Sequence, residues 1–328
     1  MNLLYPFNRS LFFTLFFNSV LAVLWWLPWV FNAGQVQNID ITLFGTLQIL
    51  EIKPFAALLI QFFIGVLMFF ITSSISFSKQ ISTTSYLQFT LMILLGVLWV
   101  KSHIFGNQSI AAVFFIFSII ELLKLNFFSR NTLKIFNSLI LIITASFFQI
   151  DFIFLIPLFI AGIFILEGLK IKSMVLVIFT LIIAVLTILG YAYVFDSVDV
   201  IKNYYFQVLN FRFFINWHII DIQHIIFYIL IIFTIISLYL YFRQKNNFKL
   251  QTKKIISFLI VIWLYLTFYM LFTETACKIF ALVYLPVTSF LLMLNFVNYK
   301  SKTNNIIFLI FLFLLTLTYI LQFFIFNI

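Results

Sequence analysis

The chain has 328 residues, 65% of them hydrophobic and 9% charged, with a mean hydropathy of +1.20. Soluble domains carry about 25% charged residues, so this composition excludes an ordinary water-soluble protein and points to a chain dissolved in lipid. The net charge of +10 does not call for a nucleic acid, because the Lys and Arg residues are scattered over short loops, as the positive-inside rule for membrane proteins expects.

Apolar runs of about 20 residues are read as spanning helices, since 1.5 Å of rise per residue then crosses the hydrocarbon core. In chain order the predicted spans are Leu11–Phe31, Phe55–Ser73, Ser85–Val100, Ser109–Leu125, Leu133–Ile150 and Phe152–Leu166. Five more follow at Ser173–Val194, Ile222–Tyr241, Ile255–Phe272, Ile279–Phe296 and Asn305–Phe326. The expected fold is therefore an all-α membrane protein of about eleven transmembrane helices, with residues 1–328 forming one polytopic domain. The first run is about twice the length of a signal-peptide core and is read as a span. The third and fourth runs are short, and Asp151 alone separates the fifth from the sixth. Either pair could also form a re-entrant or tightly kinked hairpin.

Charge sets the expected orientation, with the N-terminus in the cytoplasm and the C-terminus outside. The inner segments then hold Arg9, Lys79, Lys124, Arg130, Lys134, Lys170, Lys172, five cations from Arg243 to Lys254, Lys300 and Lys302. The outer segments hold only Lys53, Lys101, Lys202, Arg212 and Lys278, which is the bias the rule describes. Acids run the other way: Asp40, Glu51, Asp151, Asp196, Asp199, Asp221 and Glu274 fall outside, against Glu121 and Glu167 inside. Trp25, Trp26, Trp29 and Trp99 close spans at the expected outer interface, where indole rings prefer to sit. The two longest loops, Asn32–Pro54 and Phe195–Asp221, are both outer and both too apolar to be free loops. They are expected to contain helices lying along the membrane surface.

Those loops hold most of the residues that could carry chemistry. Asp40 and Glu51 lie beside the membrane, where partial desolvation raises a carboxylate's pKa and fits it for general-base or metal-ligand work. Glu51 could equally pair with Lys53 at the surface. His218, Asp221 and His224 recur three apart and would share one stripe of a helix, a pattern that could bind a divalent metal or relay protons. The alternative is that Asp221 caps an interfacial helix. Arg212 with His218, and Lys101 with His103, could face a lipid phosphate, or the last two could snorkel to headgroups. Glu121 and Lys124, at i and i+3, should pair near the inner surface.

Other features limit the choices. The single cysteine, Cys277, excludes an intramolecular disulfide and a cysteine-based metal centre within one chain. No dinucleotide, Walker A, zincin or nucleophile-elbow pattern occurs, so no cofactor is identified, and a divalent metal rests on the histidine stripe and the outer-loop carboxylates. With 8 glycines in the chain, helix packing is expected to rely on Phe, Leu and Ile surfaces and not on GxxxG contacts. Pro157 and Pro286 interrupt spans without a matched pair in two halves, as inverted-repeat transporters would show.

Four local patterns together carry a resemblance: Phe7-Asn8-Arg9-Ser10 entering the first span, the Gly106-Asn107-Gln108-Ser109 turn, the close hairpin from Phe147 to Leu155, and Tyr284-Leu285-Pro286-Val287-Thr288-Ser289 inside a late span. Along nearly its whole length the chain resembles an uncharacterised family of bacterial multi-pass inner-membrane proteins, which implies a bacterial inner-membrane location. More distantly, its layout is similar to the membrane-embedded glycosyltransferases of the C superfamily. That likeness implies a polyprenyl-phosphate-linked sugar as membrane partner, Asp40 as base, and Lys101, Arg212 and His218 around the donor phosphate. The first outer loop departs from that superfamily in lacking paired acids. A non-catalytic subunit of an envelope complex, or a lipid or solute transporter, are the alternative readings.

Overall fold

The computed structural model describes residues 11–30, 54–73, 86–99, 105–126, 131–168, 170–209, 222–272, 276–298 and 302–326. Twelve α-helices and no strand occur among them. They are α1 (Leu11–Val30), α2 (Pro54–Ser73), α3 (Tyr86–Leu98), α4 (Asn107–Leu123), α5 (Asn131–Phe148), α6 (Ile156–Glu167), α7 (Ile171–Val194), α8 (Val198–Leu209), α9 (Ile222–Gln244), α10 (Leu250–Phe272), α11 (Ala276–Asn298) and α12 (Lys302–Phe326). Each predicted span falls on a helix, and α8 lies within the second long loop. Four segments, Ile150–Glu167, Ile171–Val194, Ile225–Arg243 and Leu250–Phe272, are long and apolar enough to cross a membrane over their described residues. The helices form two compact units, one of α1–α3 with α9–α12, the other of α4–α8.

In the first unit α11 is the central element and packs on α3, α9 and α10, with α2 and α12 also touching it. Every side chain from Phe280 to Leu294 is buried, which a lipid-exposed helix would not show. Pro286 sits inside this helix and lacks the N–H that would bond the carbonyl one turn back. Hydroxyls crowd the break. Thr288 Oγ1 donates to the carbonyls of Tyr284 (2.9 Å) and Leu285 (3.0 Å), and Ser289 Oγ donates to that of Pro286 (2.9 Å). These bonds satisfy the buried hydroxyls on carbonyls of their own helix, as hydroxyls without access to water must be satisfied. At another contact, Tyr319 of α12 donates its hydroxyl to the Leu24 carbonyl of α1 at 2.8 Å.

Two of the indoles expected at the outer interface are enclosed by the protein. Trp25 is 3% exposed and Trp99 is fully buried. The first ring meets Phe62 edge-on at 5.7 Å and the second meets Tyr284 at 6.2 Å. The apolar body of an indole packs against aromatic rings as readily as against lipid, so tryptophan near a span end does not by itself mean lipid contact.

The second unit is an antiparallel array. Its tightest pair, α4 with α5, meets through small residues: Ser118 Oγ donates to the Ser138 carbonyl at 2.5 Å, with the two hydroxyls 3.3 Å apart. The same antiparallel register places Ala111 opposite Ala145, and all four residues are fully buried. Small residues here join the expected Phe, Leu and Ile surfaces, since Phe114 of α4 also stacks on Phe148 of α5 at 5.6 Å. Small side chains let backbones approach closely, and in lipid that packing replaces the missing hydrophobic drive.

The sixth predicted span does not begin as an α-helix. Ile150–Leu155 is a 3₁₀ helix that runs into α6. A 3₁₀ residue rises about 2.0 Å and an α residue about 1.5 Å, so the 18 residues from Ile150 to Glu167 reach roughly 30 Å, the thickness of the hydrocarbon core. Gly168, at φ 88°, ends α6 in a conformation that glycine adopts without steric cost. Glu167 then ties the next turn, accepting from Lys170 Nζ at 3.0 Å and Ser173 Oγ at 2.8 Å. α7 buries only Ser173, Val177, Thr180 and Ala192, a narrow stripe against α5, and exposes apolar side chains elsewhere. At its far end Asp196 adopts φ 45°, and the Ser197 N–H bonds the Ala192 carbonyl at 3.1 Å. This is the left-handed cap that stops a helix, and Asp is among the few residues that tolerate it.

Candidate functional site

Asp40, Glu51, Lys101, His103, Arg212, His218 and Asp221 lie outside the described residues. His224 falls in the first turn of α9, and its side chain is likewise outside them. Among the described residues no group of three His, Cys, Asp or Glu side chains is placed to hold a metal ion. The structure does bring together other polar side chains, at the two ends of the second unit and in the centre of the first.

One end of the second unit is cationic. Lys124 pairs with Glu121, as the i, i+3 spacing predicts, and Lys134 Nζ donates to the Lys124 carbonyl at 3.3 Å. Glu167 and Lys170 belong to this end by chain direction, because α4 and α6 both finish here while α5 and α7 begin here.

The opposite end gathers amides, acids and tyrosines. Gln149 closes α5 through its N–H to the Ala145 carbonyl at 3.1 Å. Its side-chain Nε2 donates to Asp151 Oδ2 at 2.6 Å. Asn107, 3% exposed, and Gln149, 7% exposed, fall at the same level in the α4–α5 register set by Ser118 and Ser138. α8 packs on the 3₁₀ segment that contains Asp151. It is held there by Tyr204, fully buried, whose hydroxyl donates to the Ser146 carbonyl at 2.6 Å. The Tyr204 and Tyr205 rings meet edge-on at 5.6 Å, and burial pushes the Tyr205 hydroxyl up to about 12. Asp199, Lys202 and Asn203 face outward on the same helix. α8 thus has the two faces expected of a surface-lying helix.

In the first unit the polar cluster is closed on itself. Trp263 Nε1 donates to the Tyr284 hydroxyl at 2.9 Å, and Thr267 Oγ1 lies 3.3 Å from the same oxygen. Phe227 and Trp99 wall the ring at 5.4 and 6.2 Å. Each group meets a partner, so the cluster reads as a structural knot between α10 and α11.

Sequence reasoning found the hairpin at Asp151 and the Tyr284–Ser289 segment but gave neither a role. It missed Gln149, and it placed Tyr204 only within the apolar second outer loop. The available signal was a polar pair, Gln149 and Asp151, at the close of an apolar run. No family model, no curated protein and no solved structure matches the chain.

Proposed function

We propose that the protein is a multi-pass protein of a bacterial inner membrane that works at the outer leaflet on a polyprenyl-phosphate-linked sugar, in the manner of a membrane glycosyltransferase. On this reading about eleven helices cross the bilayer, the N-terminus is cytoplasmic, and the cationic end of the second unit faces the cytoplasm. Asp40 is the base and Glu51 a second carboxylate, while Lys101, His103, Arg212 and His218 neutralise the donor phosphate. The supporting observation is α8, a helix with an apolar and a polar face. It is anchored by Tyr204 at the end of the second unit that carries Asp151, opposite the end with Lys124, Lys134 and Lys170. A surface helix with polar side chains toward the interface is what an enzyme handling headgroups there needs.

The test is replacement of Asp40 and of Arg212 by alanine in the native host. Each variant should abolish a surface-glycan phenotype while the protein level in the membrane is unchanged. If both support wild-type glycan, transfer is discarded in favour of a non-catalytic subunit of an envelope complex. A copurifying partner that survives both changes would then identify that complex.

A further inference from the structure

We infer that the short turn joining α9 to α10 is a docking surface for the phosphates of anionic phospholipids. Arg243, Lys245, Lys249 and Lys253 lie on it, the first three exposed and the last half-buried. The turn is held from within. Lys245–Asn247 is one 3₁₀ turn, and the Phe248 N–H donates to the Lys245 carbonyl at 3.3 Å. The Phe248 ring packs on buried Tyr241 at 5.4 Å.

The first unit holds few acids to answer this charge. The sequence over its segments, Met1–Val36, Pro54–Ile104 and Ile215–Ile328, contains only Asp221 and Glu274. Asp221 immediately precedes α9 and Glu274 follows α10, so a helix of 23 residues, about 34 Å long, separates each from the turn. In the second unit, by contrast, Lys124 and Lys170 each pair with a glutamate one turn away. Lys253 also stands in the first turn of α10, where the helix dipole favours an anion.

The place of the turn says which anion answers it. Ile225–Arg243 and Leu250–Phe272, the segments it joins, are long and apolar enough to cross a membrane. Three residues of 3₁₀ helix rise about 6 Å, so the cations stay within one Debye length, about 8 Å, of the bilayer surface. Clustered cations beside a spanning helix attract anionic headgroups. Phe242 and Leu250, 55% and 72% exposed, flank the cations and offer apolar contact to acyl chains. Lys245 Nζ lies 5.9 Å over the Phe242 ring, which sets charge directly beside that apolar surface. A phosphodiester above hydrocarbon matches both kinds of side chain, whereas a soluble polyanion matches only the charge. Docking of lipid here is independent of glycosyl transfer, so Asp40→Ala and Arg212→Ala should leave it unchanged.

The experiment uses the full chain in phosphatidylcholine nanodiscs doped with photoreactive phosphatidylglycerol or with equally photoreactive phosphatidylcholine. Labelled peptides are mapped by mass spectrometry. The Arg243–Lys253 segment should take up the anionic probe at least about fivefold more than the zwitterionic one. Lys245→Gln and Lys249→Gln should each cut anionic labelling about fivefold, the factor that one cation contributes at an anionic surface. Lys245→Arg and Lys249→Arg should keep it, and an unchanged melting temperature shows that the fold is intact. Salt at about 1 M should erase the preference. Equal labelling by the two lipid probes in wild type, or wild-type labelling in both glutamine variants, overturns the proposal. So does cross-linking of polyuridylate to the turn where the anionic lipid leaves it unlabelled, a result that assigns a soluble polyanion instead.

Discussion

Helices α11 and α7 are both apolar enough to look alike in sequence, yet they occupy opposite environments. α11 buries every side chain from Phe280 to Leu294, hydroxyls included. α7 buries four residues along one stripe and exposes Ile178, Ile182, Val185, Leu186 and Leu189. In water the exposed face would be an aggregation hazard, whereas in a bilayer it is a lipid-facing surface. The buried helix can hold Tyr284, Thr288 and Ser289 because neighbouring groups and its own carbonyls satisfy them. On the exposed helix, hydroxyls must bond back within the chain, as Thr187 does to the Ile183 carbonyl at 2.8 Å. Hydropathy selects helices for the membrane, and the placement of their few hydroxyls reflects which ones face protein.

The sharpest way to break this comparison is at Tyr284. Tyr284→Ala should cost about 3–5 kcal/mol in reversible unfolding from mixed micelles, since it opens a cavity and leaves the Trp263 N–H buried without its acceptor. Tyr284→Phe should cost about 1 kcal/mol, the value of the hydrogen bonds alone in a membrane interior. If alanine at this position is neutral, α11 is not a core helix.

Next in size is the close contact of α4 with α5. Ser118→Leu should lose about 1–3 kcal/mol by overpacking against Ser138, and an unchanged denaturation midpoint would mean the helices do not touch there.

Tyr205 on half-buried α8 should give a smaller, pH-dependent effect. Burial raises its hydroxyl from the usual 10.0 to about 12, so the folded state favours the neutral phenol. That contribution is complete below pH 10 and is lost as pH rises from 10 to 12. A tyrosinate absorbance titration of the wild type minus Tyr205→Phe should show one phenol ionising near 12, and a step at the usual value would detach α8 from the bundle. The smallest effect belongs to α7, where Leu186→Ala should change stability by less than about 0.5 kcal/mol. A large loss there would mean that a protein surface covers this helix.

Much of the helix placement was legible. α1 begins at Leu11 and α7 ends at Val194 as expected, because the apolar runs set those limits. α10 begins at Leu250, ahead of the expected Ile255, since Gln251, Lys253 and Lys254 are good helix formers that extend the helix past its apolar run. The pairing of Glu121 with Lys124 followed from spacing alone. The 3₁₀ opening at Ile150 was not legible, because hydropathy is blind to the difference between 3.0 and 3.6 residues per turn. Burial of Trp25 and Trp99 was equally hidden, since an indole suits either setting.

What the sequence determined by itself was the class of solvent, because 65% hydrophobic residues in long unbroken runs leave a helix as the way to satisfy the backbone in lipid. It also determined local events that depend on neighbours within a turn, such as the Glu121–Lys124 pair. Only the tertiary structure decided that Ser118 meets Ser138, that Tyr204 reaches Ser146 across 58 residues, and that Gln149 is held against Asp151. Those outcomes depend on which helices pack and in what register. Lipid is as apolar as a leucine surface, so hydrophobicity cannot choose the partners, and close packing and hydrogen bonding between distant segments do.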